Sequence, residues 1–156
     1  MRVLAAIAGL TLLVAGPLAQ AAPSPQQVDI ASSSGTLRAE LYKPEGDGPF
    51  PTVIALHGCS GLAGHSEPVL PRYRDWAEQL VKSGSAVLLP DSYASRGLGP
   101  QCRIKERRLS ARRERVADIL AARQWLMAQS WARRDSMCCT MLTRWIWIQS
   151  QLVSAL

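Results

Sequence analysis

Val53-Ile54-Ala55-Leu56-His57-Gly58-Cys59-Ser60-Gly61-Leu62 joins an apolar run to a turn carrying two glycines within four residues. From Thr52 to Leu56 the chain shows no polar alternation, which is the pattern of a strand covered on both faces. The His-Gly-x-x-Gly that follows has two readings. It is a turn that aims backbone N–H groups at a negative charge, or a tight turn whose glycines serve backbone geometry alone.

Working outward, Val28 to Ile30 and Thr36 to Tyr42 flank Ser32-Ser33-Ser34-Gly35 and read as a hairpin. In its second arm Leu37, Ala39 and Leu41 alternate with Arg38, Glu40 and Tyr42, which predicts one buried face. Downstream, Tyr73, Trp76, Ala77, Leu80 and Val81 form one apolar stripe, so a helix is expected over Arg72 to Ser83, stopped by Gly84. Ala86 to Leu89 reads as a second fully buried strand, closed by Pro90-Asp91. A second helix is expected from about Ser110 to Gln129, with Val116, Ile119, Leu120 and Met127 on one face and Arg108, Arg112 and Arg115 opposite. Strands alternating with helices imply a parallel sheet, and the α/β class follows.

The first residues read as a leader rather than as fold. Arg2 precedes an uncharged stretch, Val3 to Ala15, followed by Gly16-Pro17 and Ala19-Gln20-Ala21. That is the layout of a secretory signal peptide over 1–21, and it predicts export to the periplasm or the exterior. An uncleaved anchor is the alternative, although the apolar core is shorter than the roughly 20 residues a span requires. No stable span is expected after cleavage. Residues 22–27 form a linker with Pro23 and Pro25, and 28–135 form the domain.

Export allows the four cysteines to pair. Cys59 and Cys102 each follow a predicted strand and are paired here as the expected disulfide. Cys138-Cys139 is a vicinal pair, a geometry that seldom closes. The net charge of +6 is uneven, because Arg96 to Arg134 holds eleven Lys or Arg against three acids. A solvated helix face and a surface for anionic membrane or nucleic acid are the competing readings of that segment.

The residues Leu37 to Tyr42, Pro-Phe-Pro-Thr-Val-Ile-Ala-Leu-His-Gly-Cys-Ser-Gly and Ala-Val-Leu-Leu-Pro-Asp-Ser-Tyr together resemble the N-terminal half of dienelactone hydrolase-like α/β-hydrolases, best the exported bacterial branch. The resemblance covers roughly Val28 to Arg134. It implies hydrolysis of a small carboxylic ester or lactone by a nucleophile, an acid and a histidine, with no metal, cofactor or nucleic-acid partner. The oxyanion donors it implies are the N–H groups of Cys59 and, second, Ser60. It makes His57 the first residue of the turn motif, so that His57, Gly58, Gly61 and Asp91 hold the loops rather than react. His57 as catalytic base is the competing assignment.

The attacking half is not found. The resemblance calls for a strand near Ser136 leading into Gly-x-Ser-x-Gly or its Cys counterpart. The last glycine of the sequence is Gly99, the only histidines are His57 and His65, and no acid follows Asp135. Cys138 or Cys139 as nucleophile lacks small flanking residues and a downstream base. The 136–156 tail, with Trp145-Ile146-Trp147-Ile148, changes character abruptly, as an out-of-frame segment would. The expectation is an incomplete, inactive hydrolase whose Thr52–Leu56 strand has an open edge, or one filled by Met141 to Ile148. A small basic binding module is the alternative, and completion of the sheet by another chain a third.

Overall fold

The computed structural model describes residues 25–106, 108–110 and 112–142. The 1–21 leader and the Trp145–Ile148 stretch lie outside the described residues. Five strands form one sheet: β1 (Gln26–Ser32), β2 (Gly35–Tyr42), β3 (Phe50–Leu56), β4 (Ala86–Pro90) and β5 (Ala132–Met141), in the spatial order β1-β2-β4-β3-β5. The hairpin β1–β2 is antiparallel and closes with Ser32 opposite Gly35, β2 runs antiparallel to β4, and β3 is parallel to both β4 and β5.

Two helices cover the two faces. Helix α1 (Pro71–Lys82) packs Tyr73, Ala77 and Val81 against Tyr42, Ala55, Val87 and Leu89. Its stop is at Gly84, where φ of 89° suits glycine and the Gly84 N–H reaches the Val81 carbonyl at 2.9 Å. Helix α2 (Glu114–Met127) packs Ala122 and Leu126 against Ile30, Leu37, Ala39, Leu41, Ile54 and Leu88 on the other face. The central strands β3 and β4 feed both clusters, which is why their sequences show no polar alternation.

Three expectations are corrected. Helix α2 begins at Glu114, not Ser110, because the Glu114 carboxylate turns back to accept the Ser110 N–H at 2.7 Å and ends the preceding turn there. Its buried stripe is Arg115, Asp118, Ala122 and Leu126, while Val116 (43% exposed), Leu120 (60%) and Met127 (37%) face outward. The helix is therefore rotated by one residue from its expected phase. On β2, Glu40 and Tyr42 are buried as well, since Tyr42 packs in the cluster under α1 and Glu40 lines a cleft with Leu62, Ala63 and Pro68, on the face that alternation assigns to solvent.

The strand that the resemblance calls for near Ser136 is present beside β3, so the edge expected to be open, or filled from Met141 onward, is occupied. It spans Ala132–Met141, beginning four residues before Ser136 and ending at Met141. Ala132 pairs with Phe50 but Met137 with Thr52, so the exposed Arg133–Asp135 bulges out before regular pairing continues from Met137 to Met141.

Candidate functional site

The chain leaves β3 to form β4 on one side of it and returns to form β5 on the other. Such a reversal of strand order opens a crevice at the carboxyl ends of the strands, the usual place for a ligand in an α/β sheet. The residues delivered there are His57 to Gly61.

Three carbonyls of this turn are held. The His57 carbonyl accepts Arg115 Nη2 at 2.6 Å, from α2. The Gly58 carbonyl accepts the Gly61 N–H at 3.2 Å and the His57 ring Nδ1–H at 2.8 Å. The Cys59 carbonyl accepts the Gln101 N–H at 2.7 Å. On the donor side, the Gly58 N–H is taken by the Tyr73 hydroxyl at 2.8 Å, from α1. Among the described residues, the N–H groups of Cys59 and Ser60 donate to nothing. Gly61 closes the turn at φ 85°, a conformation that disfavours a side chain.

Side chains brace the same segment. Cys59 is bridged to Cys102, tying the turn to the loop after β4. Arg72 donates to Ser60 Oγ and lies over the Tyr73 ring, 4.7 Å from its centre. Burial raises the Tyr73 hydroxyl's pKa, but the hydrogen bonds involving Ser60, Gly58 and Arg72 outweigh it and leave the group below its usual range.

His57 is fully buried, with its ring edge-on to Tyr93 at 4.6 Å. Burial pushes the imidazole's pKa down, and with Nδ1 donating, the neutral ring turns a bare Nε2 toward Asp91 Oδ1 at 3.8 Å. That nitrogen has no hydrogen-bond partner. Asp91 Oδ1 accepts the N–H groups of Tyr93 (3.2 Å) and Ala94 (2.9 Å), which shapes the loop after β4. Beside it, Glu40 lines a cleft of about 130 Å³ with Arg38, Leu62, Pro68 and Asp91. Burial, and then the Asp91 charge, raise the Glu40 pKa.

The basic segment is not uniformly solvated. Arg115 is 7% exposed, and Arg96 grips the fully buried Asp118 with two hydrogen bonds of 2.7 and 3.0 Å. A buried guanidinium without an acidic partner is costly, by several kcal/mol before compensation. Among the described residues the Arg115 guanidinium has only the His57 carbonyl and the Tyr93 ring, 5.8 Å away. Sequence reasoning missed Arg115, Tyr73 and Asp118 as residues of this region. The available signal was the 115/118/122/126 spacing, which is helical but begins with two charged residues.

The free cysteines Cys138 and Cys139 stand exposed on β5, and burial raises the Cys139 thiol's pKa, opposite to what a nucleophile needs. Among the described residues no group of three or more His, Cys, Asp or Glu side chains could hold a metal ion, and no helix is long and apolar enough to cross a membrane.

No family model matches this chain, and no curated protein matches it in sequence. Solved structures do. A protein assigned as a dienelactone hydrolase, from Klebsiella pneumoniae, aligns at TM-score 0.58 and 19% identity over 78% of this chain and 50% of its own. The fold is that of the α/β-hydrolases. A thermostable carboxylesterase from a metagenomic library gives 0.54 and 21% over 80% of this chain and 38% of its own, and a further esterase 0.57 and 15% over 78% and 35%. The chain therefore spans half or less of the length of these α/β-hydrolase neighbours, and its mixed five-stranded sheet is a part of that fold.

Proposed function

We propose that this chain is the anion-stabilising portion of an exported dienelactone hydrolase-like enzyme acting on small carboxylic esters or lactones. One observation carries the reading: Cys59 and Ser60 present two N–H groups unengaged among the described residues at the switch point of the sheet, while the carbonyls of His57, Gly58 and Cys59 are pinned. Attack on an ester carbonyl places negative charge on its oxygen. A fixed N–H stabilises that charge without reorganising, and one such donor is typically worth about 3 kcal/mol.

The proposal includes inactivity of these 156 residues on their own. They hold no Gly-x-Ser-x-Gly or Gly-x-Cys-x-Gly, and no histidine after His65. Export is supported by the leader pattern and by the Cys59–Cys102 bridge, a bond suited to an oxidising compartment.

The test uses the purified protein, isotopically labelled. Titration with inorganic phosphate is expected to shift the Cys59 and Ser60 amide resonances selectively, while an aryl acetate is hydrolysed at the buffer rate. Unmoved amides would sink the oxyanion reading. Aryl ester turnover with a burst of covalent acylation would sink the inactivity. Sequencing the locus addresses the tail: a Gly-x-Ser-x-Gly or Gly-x-Cys-x-Gly peptide in another frame downstream of codon 135 is expected.

A further inference from the structure

The peptide unit between His57 and Gly58 is held at both of its polar ends by different layers of the molecule. Its carbonyl accepts Arg115 Nη2 at 2.6 Å from α2, and its N–H donates to the Tyr73 hydroxyl at 2.8 Å from α1. This is the last peptide before the two whose N–H groups are unengaged. Its plane sets the direction in which the chain enters the turn, and with it the direction of the Cys59 N–H.

We infer that Arg115 is a positioning residue for the oxyanion turn: with Tyr73 it clamps the His57–Gly58 peptide across the sheet and so aims the Cys59 and Ser60 N–H groups. The inference rests on the oxyanion reading above. Three observations beyond the hydrogen bond support it. Among the described residues, Arg115 is buried without an acidic partner and its Nε has no acceptor, so the side chain is kept where ion pairing does not explain it. Asp118, one helical turn on, is committed with two hydrogen bonds to Arg96 and does not neutralise it. And the guanidinium stacks toward the Tyr93 ring, which itself packs edge-on against His57, so the whole side chain is registered against the turn. A positive charge fixed behind the turn also favours an anion in front of it.

Amide hydrogen exchange on the full chain tests this. In Arg115→Met, exchange at Gly58 and Gly61 is expected to accelerate at least tenfold, with the β3 and β4 core amides unchanged. Tyr73→Phe is expected to free the same two amides. The double variant should exceed the larger single effect by less than twofold, because both act through one peptide. Unchanged Gly58 and Gly61 exchange, acceleration spread evenly over the core strands, or fully multiplicative single effects would each overturn the inference. The unaltered protein provides a readout independent of variant folding, a through-hydrogen-bond coupling between Arg115 Nη2 and the His57 carbonyl carbon. Its absence also overturns the assignment. Phosphate titration separates the two readings. Wild-type amides at Cys59 and Ser60 that ignore phosphate count against the oxyanion reading, whereas exchange and coupling decide Arg115 alone. Where phosphate does bind, Arg115→Met is expected to weaken it at least tenfold.

Discussion

Helices α1 and α2 cover opposite faces of one sheet and are built on different terms. Helix α1 buries Tyr73, Ala77 and Val81 and leaves its ion pair, Arg74 with Glu67, in solvent. Helix α2 buries Arg115 and Asp118 together with Ala122 and Leu126, and exposes Val116 and Leu120. A helix whose only task is to close a core puts its apolar stripe inward. Charged residues on the inward face of α2 show that this helix also serves the polar end of the sheet, where carbonyls and loops need donors.

Breaking the buried pair on α2 should cost most. Asp118→Ala leaves Arg96 without its carboxylate partner, the Ser92 carbonyl and Ser34 hydroxyl alone still accepting among the described residues, and a loss of about 3–5 kcal/mol is expected in urea unfolding. A loss under 1 kcal/mol would place that pair in the same class as the surface pair on α1. Next comes the one contact by which α1 joins the site. Tyr73→Phe strips the Gly58 N–H of its partner and is expected to cost about 2 kcal/mol by the same measurement.

A smaller effect is read against pH. Burial keeps His57 neutral in the folded chain, whereas the unfolded chain takes up a proton near the ordinary value of 6.5. Its folded pKa is the lower one, so the unfolded state binds more protons in that window and stability should fall as pH drops through about 6.5. Denaturation midpoints at a few pH values on either side are expected to show this slope, and His57→Gln to flatten it. Glu67→Ala, removing the exposed pair beside α1, is expected to cost under about 1 kcal/mol. Leu120→Ser is expected to change stability by no more than about 0.5 kcal/mol, since the side chain is 60% exposed. A large loss there would restore the phase read from sequence for α2.

The same contrast explains what the amino-acid order disclosed. Strands β2, β3 and β4 and helix α1 were legible because their apolar residues alternate, fall in unbroken runs or form one clean stripe, whereas β5, with Arg133, Arg134 and Asp135 near its start, carries no such pattern. The α2 phase was hidden because Val116, Ile119, Leu120 and Met127 offer a plausible apolar face, while the real one opens with Arg115 and Asp118. Glu40 escaped for the complementary reason: alternation along β2 describes one face and says nothing of Leu62, Ala63 and Pro68 arriving beside the other. At the site, the glycines announce the turn locally, and the fold needs them locally. The groups that pin it come from 15 residues away (Tyr73 to Gly58) and 58 residues away (Arg115 to His57), a distance at which no spacing rule operates.

Strand β5 carries one last consequence. Successive side chains on a strand leave by opposite faces. Met137 joins the cluster under α2 and Leu142 the cluster under α1, so Cys139 belongs with the first layer and Cys138 with the second. The molecule thus bears two adjacent native labelling points, one per layer. A maleimide that modified them at different rates would report separately on the packing of the two halves of the sandwich, without a single engineered residue.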